Sequence, residues 1–315
     1  MGFFLQQKRE VMTEPSIFDI IADLDTPVSA FMKLRDLQPR FLLESVEGGE
    51  RLARYSFLGF GAASTVRLEH NDLYLDEKVI GQPKSQIEYL QSLRELLSVA
   101  PQLTPSIDDL PFSGGLVGVS GYDIIRLFEE LPTLTKPQEN LPRAIFVMPT
   151  SVLVFDHLTR RAALLHAGSE TARKQLKQQV IQCLRASLPV DEEPSSFTEP
   201  EAQMSEVEFL RRVEQCKKWI DSGDIYQIVL SVVFKGQSKV DSFEVYRALR
   251  LLNPSPYMFY FDFGAIRVAG SSPEALVKLD GTKASLRPIA GTMPRGANRE
   301  EDLLNERTLL ADPKE

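Results

Sequence analysis

Arg40-Phe41-Leu42-Leu43-Glu44-Ser45-Val46, then Gly48-Gly49, then Tyr55-Ser56-Phe57-Leu58-Gly59-Phe60, is the stretch on which the fold turns. Two runs of aliphatic and aromatic residues flank a glycine pair, so two strands joined as an antiparallel hairpin are the simplest reading. Upstream, Thr26-Pro27 sets a capping hydroxyl before a proline at the first helical position, with Val28, Phe31, Leu34 and Leu37 at helical spacing behind it. Downstream, Val66 to Leu75, broken at His70-Asn71-Asp72, reads as a second hairpin, and Ser85 with Glu88 caps a helix through Leu97. Antiparallel pairs interleaved with helices give an α+β fold class.

The glycine-rich run Ser113-Gly114-Gly115-Leu116-Val117-Gly118-Val119-Ser120-Gly121 lacks the Lys-Ser/Thr of a phosphate-binding loop, and its apolar positions alternate as in a tightly packed strand. Two strands follow, Ala144–Met148 and Ser151–Phe155, separated at Pro149-Thr150-Ser151; a turn at Thr159-Arg160 leads to Ala162–His166 and a long polar helix from Ser169 to Ser187. Residues 189–203 hold Pro189, Pro194 and Pro200 among five acidic side chains and read as a linker. Beyond it come a helix capped by Ser205 and Glu208 and closing at Gly223, a strand from Tyr226 to Phe234, and a helix from Ser242 to Leu252 stopped by Asn253-Pro254. Tyr257–Phe263, Ile266–Gly270, Ala275–Leu279 and Lys283–Arg287 then read as strands, antiparallel because their connections are too short for crossovers.

Composition narrows the chemistry. The chain has 315 residues, 43% hydrophobic and 25% charged, with a net charge of −8, which argues against a broad phosphate-neutralising surface for nucleic acid. Cys183, Cys216, His70, His157 and His166 make no recognisable metal-ligand spacing or disulfide framework, and Cys216 falls on an apolar helical stripe as a packing residue. Both lone histidines near strand ends, His157 and His166, read as surface or capping residues. Any metal would be held by carboxylates, which suits Mg²⁺ better than zinc. The N-terminus has no signal-peptide core, and the apolar run Ala144 to Phe155 is interrupted and too short to span a bilayer, so a cytoplasmic protein is expected.

Four segments resist a purely structural reading. Gly270-Ser271-Ser272-Pro273-Glu274 sets a carboxylate after a proline where two strands meet: either a tight turn with an exposed glutamate, or a rigid acid whose proton affinity would rise beside an apolar sheet. Arg287-Pro288-Ile289-Ala290-Gly291-Thr292 ends a strand in Gly-Thr: either a plain strand-terminating turn, or a glycine that admits a ligand and a hydroxyl suited to a carboxylate. Leu42-Leu43-Glu44-Ser45 closes an apolar strand with polar side chains. Asn253-Pro254-Ser255-Pro256-Tyr257-Met258-Phe259-Tyr260 opens a stiff turn into an aromatic strand, which suits a flat apolar ligand or a core.

Leu42 to Phe57, Gly223 to Ser231, Asn253 to Tyr260, Gly270 to Glu274 and Arg287 to Thr292, in that order, resemble the anthranilate synthase component I family. The resemblance implies a two-domain α/β sandwich of antiparallel sheets with helices outside. It divides the chain into residues 1–188, the linker 189–203 and a catalytic unit at 204–315. It implies Mg²⁺-dependent conversion of chorismate and ammonia to anthranilate and pyruvate, in tryptophan biosynthesis. The ammonia would come from a glutamine amidotransferase subunit, component II, within a heterotetramer.

By the same resemblance, Glu274 is the general acid for the departing hydroxyl, and Gly291 and Thr292 bind chorismate. Glu44, Ser45, Pro256, Tyr257 and Met258 form a pocket for inhibitory L-tryptophan. Water-adding relatives resemble a pattern with lysine at the Gln227 position, and aminodeoxychorismate synthases one with lysine at the Ala290 position, so direct attack by ammonia is expected. Asp312-Pro313-Lys314-Glu315 stops inside the family's metal-binding helix, Glu315 matching the first glutamate of a Glu-x-x-Glu-His segment. An inactive fragment of the catalytic subunit, without its Mg²⁺ ligands, is therefore expected. The competing readings are an aminodeoxychorismate synthase component and a non-catalytic tryptophan-binding or subunit-interaction module.

Overall fold

A computed structural model describes residues 17–46, 54–132, 141–189, 196–286 and 291–312. Its strands are β1 (Ile20–Ile21), β2 (Pro39–Glu44), β3 (Tyr55–Glu69), β4 (Asp72–Leu75), β5 (Lys78–Gly81), β6 (Val117–Ser120), β7 (Ala144–Asp156) and β8 (Arg161–His166). Then come β9 (Glu201–Ala202), β10 (Phe234–Lys235), β11 (Tyr257–Asp262), β12 (Arg267–Ser272), β13 (Lys278–Asp280) and β14 (Lys283–Ser285). The helices are α1 (Pro27–Lys33), α2 (Gln86–Val99), α3 (Glu170–Arg185), α4 (Glu206–Asp221), α5 (Ser242–Leu252) and α6 (Arg299–Ala311).

Local chemistry starts most of these elements where the residues place them. Thr26 accepts the Ser29 N–H at 3.0 Å while the Ser29 hydroxyl accepts the Thr26 N–H at 2.9 Å, a reciprocal cap that starts α1. Ser85, Ser169, Ser205 and Asn298 each accept an N–H of the first turn of the helix that follows. The hairpin forms as read: Leu43 lies opposite Phe57 and Leu42 opposite Leu58, with Gly48-Gly49 outside the described residues. The second hairpin pairs Val66 with Leu75 and Glu69 with Asp72, turning at His70, whose φ is 53°. Ser113–Gly121 ends in β6, packed against β7 so closely that a Cβ on Gly118 would stand 2.1 Å from the Ile145 carbonyl oxygen.

The main sheet is antiparallel throughout and runs β1-β8-β7-β3-β2-β11-β12, with β4 and β5 extending from β3 and β6 lying on β7. Sheet hydrogen bonding thus crosses the linker: β11, from the second half of the sequence, pairs with β2 of the first. Side-chain alternation divides the apolar residues between two faces. Leu42, Leu58, Phe155, Met258 and Tyr260 face α1, α3 and α5, where Phe31 stacks on Phe243 at 4.1 Å between centroids. Phe41, Phe57, Val154 and Phe261 form the opposite face, covered by Leu103, Ile107 and Phe112. A third cluster joins Val66, Leu68 and Leu73 to Tyr89 and Leu96 of α2.

Three expectations about strands need correction. Ala144–Met148 and Ser151–Phe155 are one strand, β7: the register against β3 shifts between Phe60 and Ala63, and the bulge accommodates Pro149, which has no N–H to give the ladder. Tyr226 to Phe234 is not a strand; only Phe234–Lys235 pairs, with β9, and Tyr226 is exposed, because β-propensity without a partner edge makes no ladder. The four closely spaced strands split into β11–β12, on the main sheet, and β13–β14, a separate exposed hairpin. Cys216 is the buried residue of α4, a packing position. No helix among the described residues is long and apolar enough to cross a membrane.

Candidate functional site

The β2–β11 ladder joins two of the singled-out motifs. Met258 sits opposite Glu44 and Phe259 opposite Leu43, and the Val46 N–H donates to the Ser255 carbonyl at 3.1 Å. Glu44, Ser45, Pro256, Tyr257 and Met258 are therefore neighbours, although most of the chain separates them in sequence. Met258 is buried on the helix-covered face, Ser45 and Pro256 are half-buried, and Tyr257 is 43% exposed.

Of these five residues Glu44 is the charged one. It is buried, its Oε2 accepting the Tyr246 hydroxyl at 2.6 Å and the Arg250 Nε–H at 3.1 Å, with Arg250 Nη2 3.5 Å from Oε1. Burial, and next the Glu44 carboxylate, push the Tyr246 phenol far upward, so it stays protonated and donates. On the far side of β2, Ser56 is buried and shares a 2.8 Å hydrogen bond with His157 Nε2. Burial pushes the His157 imidazole below the ordinary histidine range, with Glu44 and Asp156 opposing and Arg250 assisting. A charge-compensated carboxylate beside proline, tyrosine and thioether surfaces can receive a cationic group that carries a flat apolar body.

From β11 the network passes to β12, where Tyr257 pairs with Ser272 and Met258 with Ser271. The Ser271 hydroxyl donates to the Asn253 carbonyl at 2.7 Å and its Oγ accepts from Asn253 Nδ2 at 3.3 Å; the Ser255 hydroxyl donates to the Ser272 carbonyl. Gly270 is needed beneath this end, because a Cβ there would lie 2.1 Å from the Phe259 ring. The Ser272 hydroxyl donates to the Glu274 carbonyl at 3.2 Å, which fixes the Glu274 backbone while its side chain stays exposed. The apolar sheet surface expected to desolvate Glu274 is not around it among the described residues.

Gly291 is half-buried and Thr292 exposed, in an extended segment between the β13–β14 hairpin and α6, and no described strand pairing brings them to Glu274. Gln227 is exposed ahead of β10, and Ala290 lies outside the described residues. No group of three or more His, Cys, Asp or Glu among the described residues could hold a metal ion, and Glu315 lies outside them, so the residues in view do not make a site for Mg²⁺. Tyr246 and Arg250, the side chains that meet Glu44, are ones the sequence does not single out. Their signal was present: spaced i, i+4 on one face of α5, behind Phe243, they pair a polar tip with a charge.

The family profile described as chorismate binding enzyme matches residues 38–315, which takes in β2, α5, β11 and β12. The chain belongs to the chorismate-binding enzyme family. It is 38% identical over 299 residues to anthranilate synthase component 1 of Thermus thermophilus, covering 94% of this chain and 63% of that protein. It is 34% identical over 337 residues to the protein of that name from Geobacillus stearothermophilus, covering 100% of this chain and 66% of that one. The crystal structure of anthranilate synthase component I from Streptococcus pneumoniae TIGR4 superposes with a TM-score of 0.66 at 28% identity, over 94% of this chain and 64% of that one. This member of the family thus has the expected fold, mixed helix and antiparallel sheet, and spans about two thirds of the length of its relatives.

Proposed function

We propose that this chain serves the anthranilate synthase component I reaction: chorismate and ammonia give anthranilate, pyruvate and water. The observation that carries the reading is the similarity to proteins named anthranilate synthase component 1, which runs through all the motifs that the residues themselves singled out. In this reading ammonia attacks the chorismate ring as the ring hydroxyl departs. Glu274 gives that hydroxyl its proton, so that it leaves as water, and pyruvate is then eliminated from the aminated ring. Gly291 and Thr292 bind chorismate, the glycine admitting the substrate to the backbone and the threonine hydroxyl donating to a carboxylate. A glutamine amidotransferase partner supplies the ammonia.

Glu44, Ser45, Pro256, Tyr257 and Met258 take L-tryptophan as a feedback inhibitor, its ammonium at Glu44 and its indole against Pro256 and Met258. What supports this pocket is the ladder that sets Met258 opposite Glu44. The reaction in this family resemblance is Mg²⁺-dependent, and no step here is assigned to the metal.

The test is incubation of the 315-residue chain with chorismate, ammonium and Mg²⁺, followed by anthranilate fluorescence, with L-tryptophan titrated in parallel by calorimetry. Anthranilate formation that Glu274→Gln lowers by about a hundredfold or more supports the reading and overturns the expectation of an inactive fragment. An aminodeoxychorismate product instead assigns the chain to the other ammonia-using class. Saturable tryptophan binding without product makes it a binding module, and the absence of both turnover and binding overturns the proposal.

A further inference from the structure

Glu44 is the most constrained charge in the candidate effector pocket, and both of its side-chain partners come from a single element, α5. Its side chain is 2% exposed while that of Arg250 is 30% exposed, so the guanidinium bridges the enclosed carboxylate to the surface. Tyr246 is fully buried and stacks beside Phe243, at 5.5 Å between centroids, so its hydroxyl is aimed by packing rather than by the ion pair. At its C-terminal end the same helix is followed by Asn253, which exchanges two hydrogen bonds with Ser271 of β12. Ser255, next in line, bonds the Ser272 carbonyl, and Ser272 bonds the Glu274 backbone. A hydrogen-bonded route therefore runs from the pocket carboxylate, along α5, to the turn that carries the candidate acid.

We propose that Arg250, with Tyr246, is a positioning residue of the Glu44 site, holding the carboxylate aimed for a ligand's ammonium group and passing occupancy through α5 to the β12 end at Glu274. The inference rests on the tryptophan-pocket reading above and deepens it. An arriving ammonium shares the carboxylate with the guanidinium, which loosens the Arg250 bond and lets α5 settle against Ser271 and Ser272. Without the guanidinium the carboxylate is a buried charge with a single phenol donor. It then swings out of place, and the ammonium loses its partner.

The experiment titrates the 315-residue chain with L-tryptophan by calorimetry and follows amide hydrogen exchange over residues 268–276 with and without tryptophan. Wild type binds and its exchange over that segment slows. Arg250→Gln binds about tenfold more weakly or worse, Arg250→Lys recovers most of that loss by restoring the charge, and Tyr246→Phe, which keeps the ring packing, falls between them. Failure of the wild type to bind overturns the pocket reading and this inference with it. Wild-type binding that Arg250→Gln leaves unchanged or strengthens overturns the inference alone, since the guanidinium would then be a bystander or a competitor. Unchanged exchange over 268–276 on tryptophan binding overturns the relay through α5. Should Arg250→Gln fail to fold, Arg250→Lys and Tyr246→Phe carry the same comparison: wild-type affinity in both overturns the positioning role.

Discussion

Gly118 shows how little room single residues have in this sheet. An added Cβ would meet the Ile145 carbonyl oxygen at 2.1 Å and the Phe146 Cα at 2.7 Å, both backbone atoms that cannot rotate away. Gly118→Ala should therefore destabilise the chain by about 3 kcal/mol or more, read as a lower urea midpoint at constant slope. Two titrating residues at the end of β7 set the acid side of the stability curve. Burial acts to raise the Asp156 carboxyl, but the Arg54 hydrogen bond and the Leu158 N–H outweigh it and hold the group below the usual aspartate range. Its contribution is present above about pH 4 and is lost as pH falls through the lowered value. His157 is held below its ordinary value of about 6.5, so the unfolded chain takes up the proton first and stability declines as pH drops beneath that point. Urea midpoints measured from pH 8 to pH 3 should fall in two stages, with His157→Asn flattening the upper stage and Asp156→Asn the lower.

At the scale of elements, caps and turns were legible because the groups that make them are adjacent in sequence. Thr26, Ser85, Ser169, Ser205 and Asn298 each satisfy an N–H of the turn that follows, which residue type and spacing alone announce. Thr26→Ala, which removes one side of the reciprocal α1 cap, should cost about 1 kcal/mol in chemical denaturation. Strands were harder to read. Pro149 looked like a break but stays in register opposite Ala63, because the extra residue is taken up on β3, where left-handed Gly61 (φ 84°) and Ala62 face Thr150 and the Thr150 hydroxyl bonds the Ala62 carbonyl at 2.6 Å. The apolar run from Tyr226 looked like a strand and pairs only at its end, because no described edge is offered to the rest of it. The candidate site was legible in the same uneven way. Glu44 and Met258 were named from their motifs, but Tyr246 and Arg250, whose meaning depends on meeting Glu44 across the fold, were not.

Across the whole molecule, burial is unevenly shared. The long pair β3 and β7 lies at the centre of the main sheet, with Leu58, Leu153, Val152 and Val154 fully enclosed. In contrast α4 buries only Cys216, and α6, β13 and β14 bury no residue. Amides of α4 and α6 should exchange with solvent orders of magnitude faster than those of β3 and β7 in native-state hydrogen exchange. Trp219, the single tryptophan and 42% exposed on α4, should report this directly: its fluorescence should change at a lower urea concentration than the far-ultraviolet circular dichroism of the sheet.

The sequence by itself determined the α+β class, the helix starts, both early hairpins and the ordered motifs that mark a chorismate-binding enzyme, since all of these depend on neighbours along the chain. Only the tertiary structure decided that β11 closes onto β2, that β7 is continuous through Pro149, and that α5 supplies both partners of Glu44. Backbone preferences and caps are settled within a few residues. Which edge a strand joins, and which cation meets a buried carboxylate, follow from covering whole apolar faces at once, so that information is held by the assembled sheet and not by any one segment.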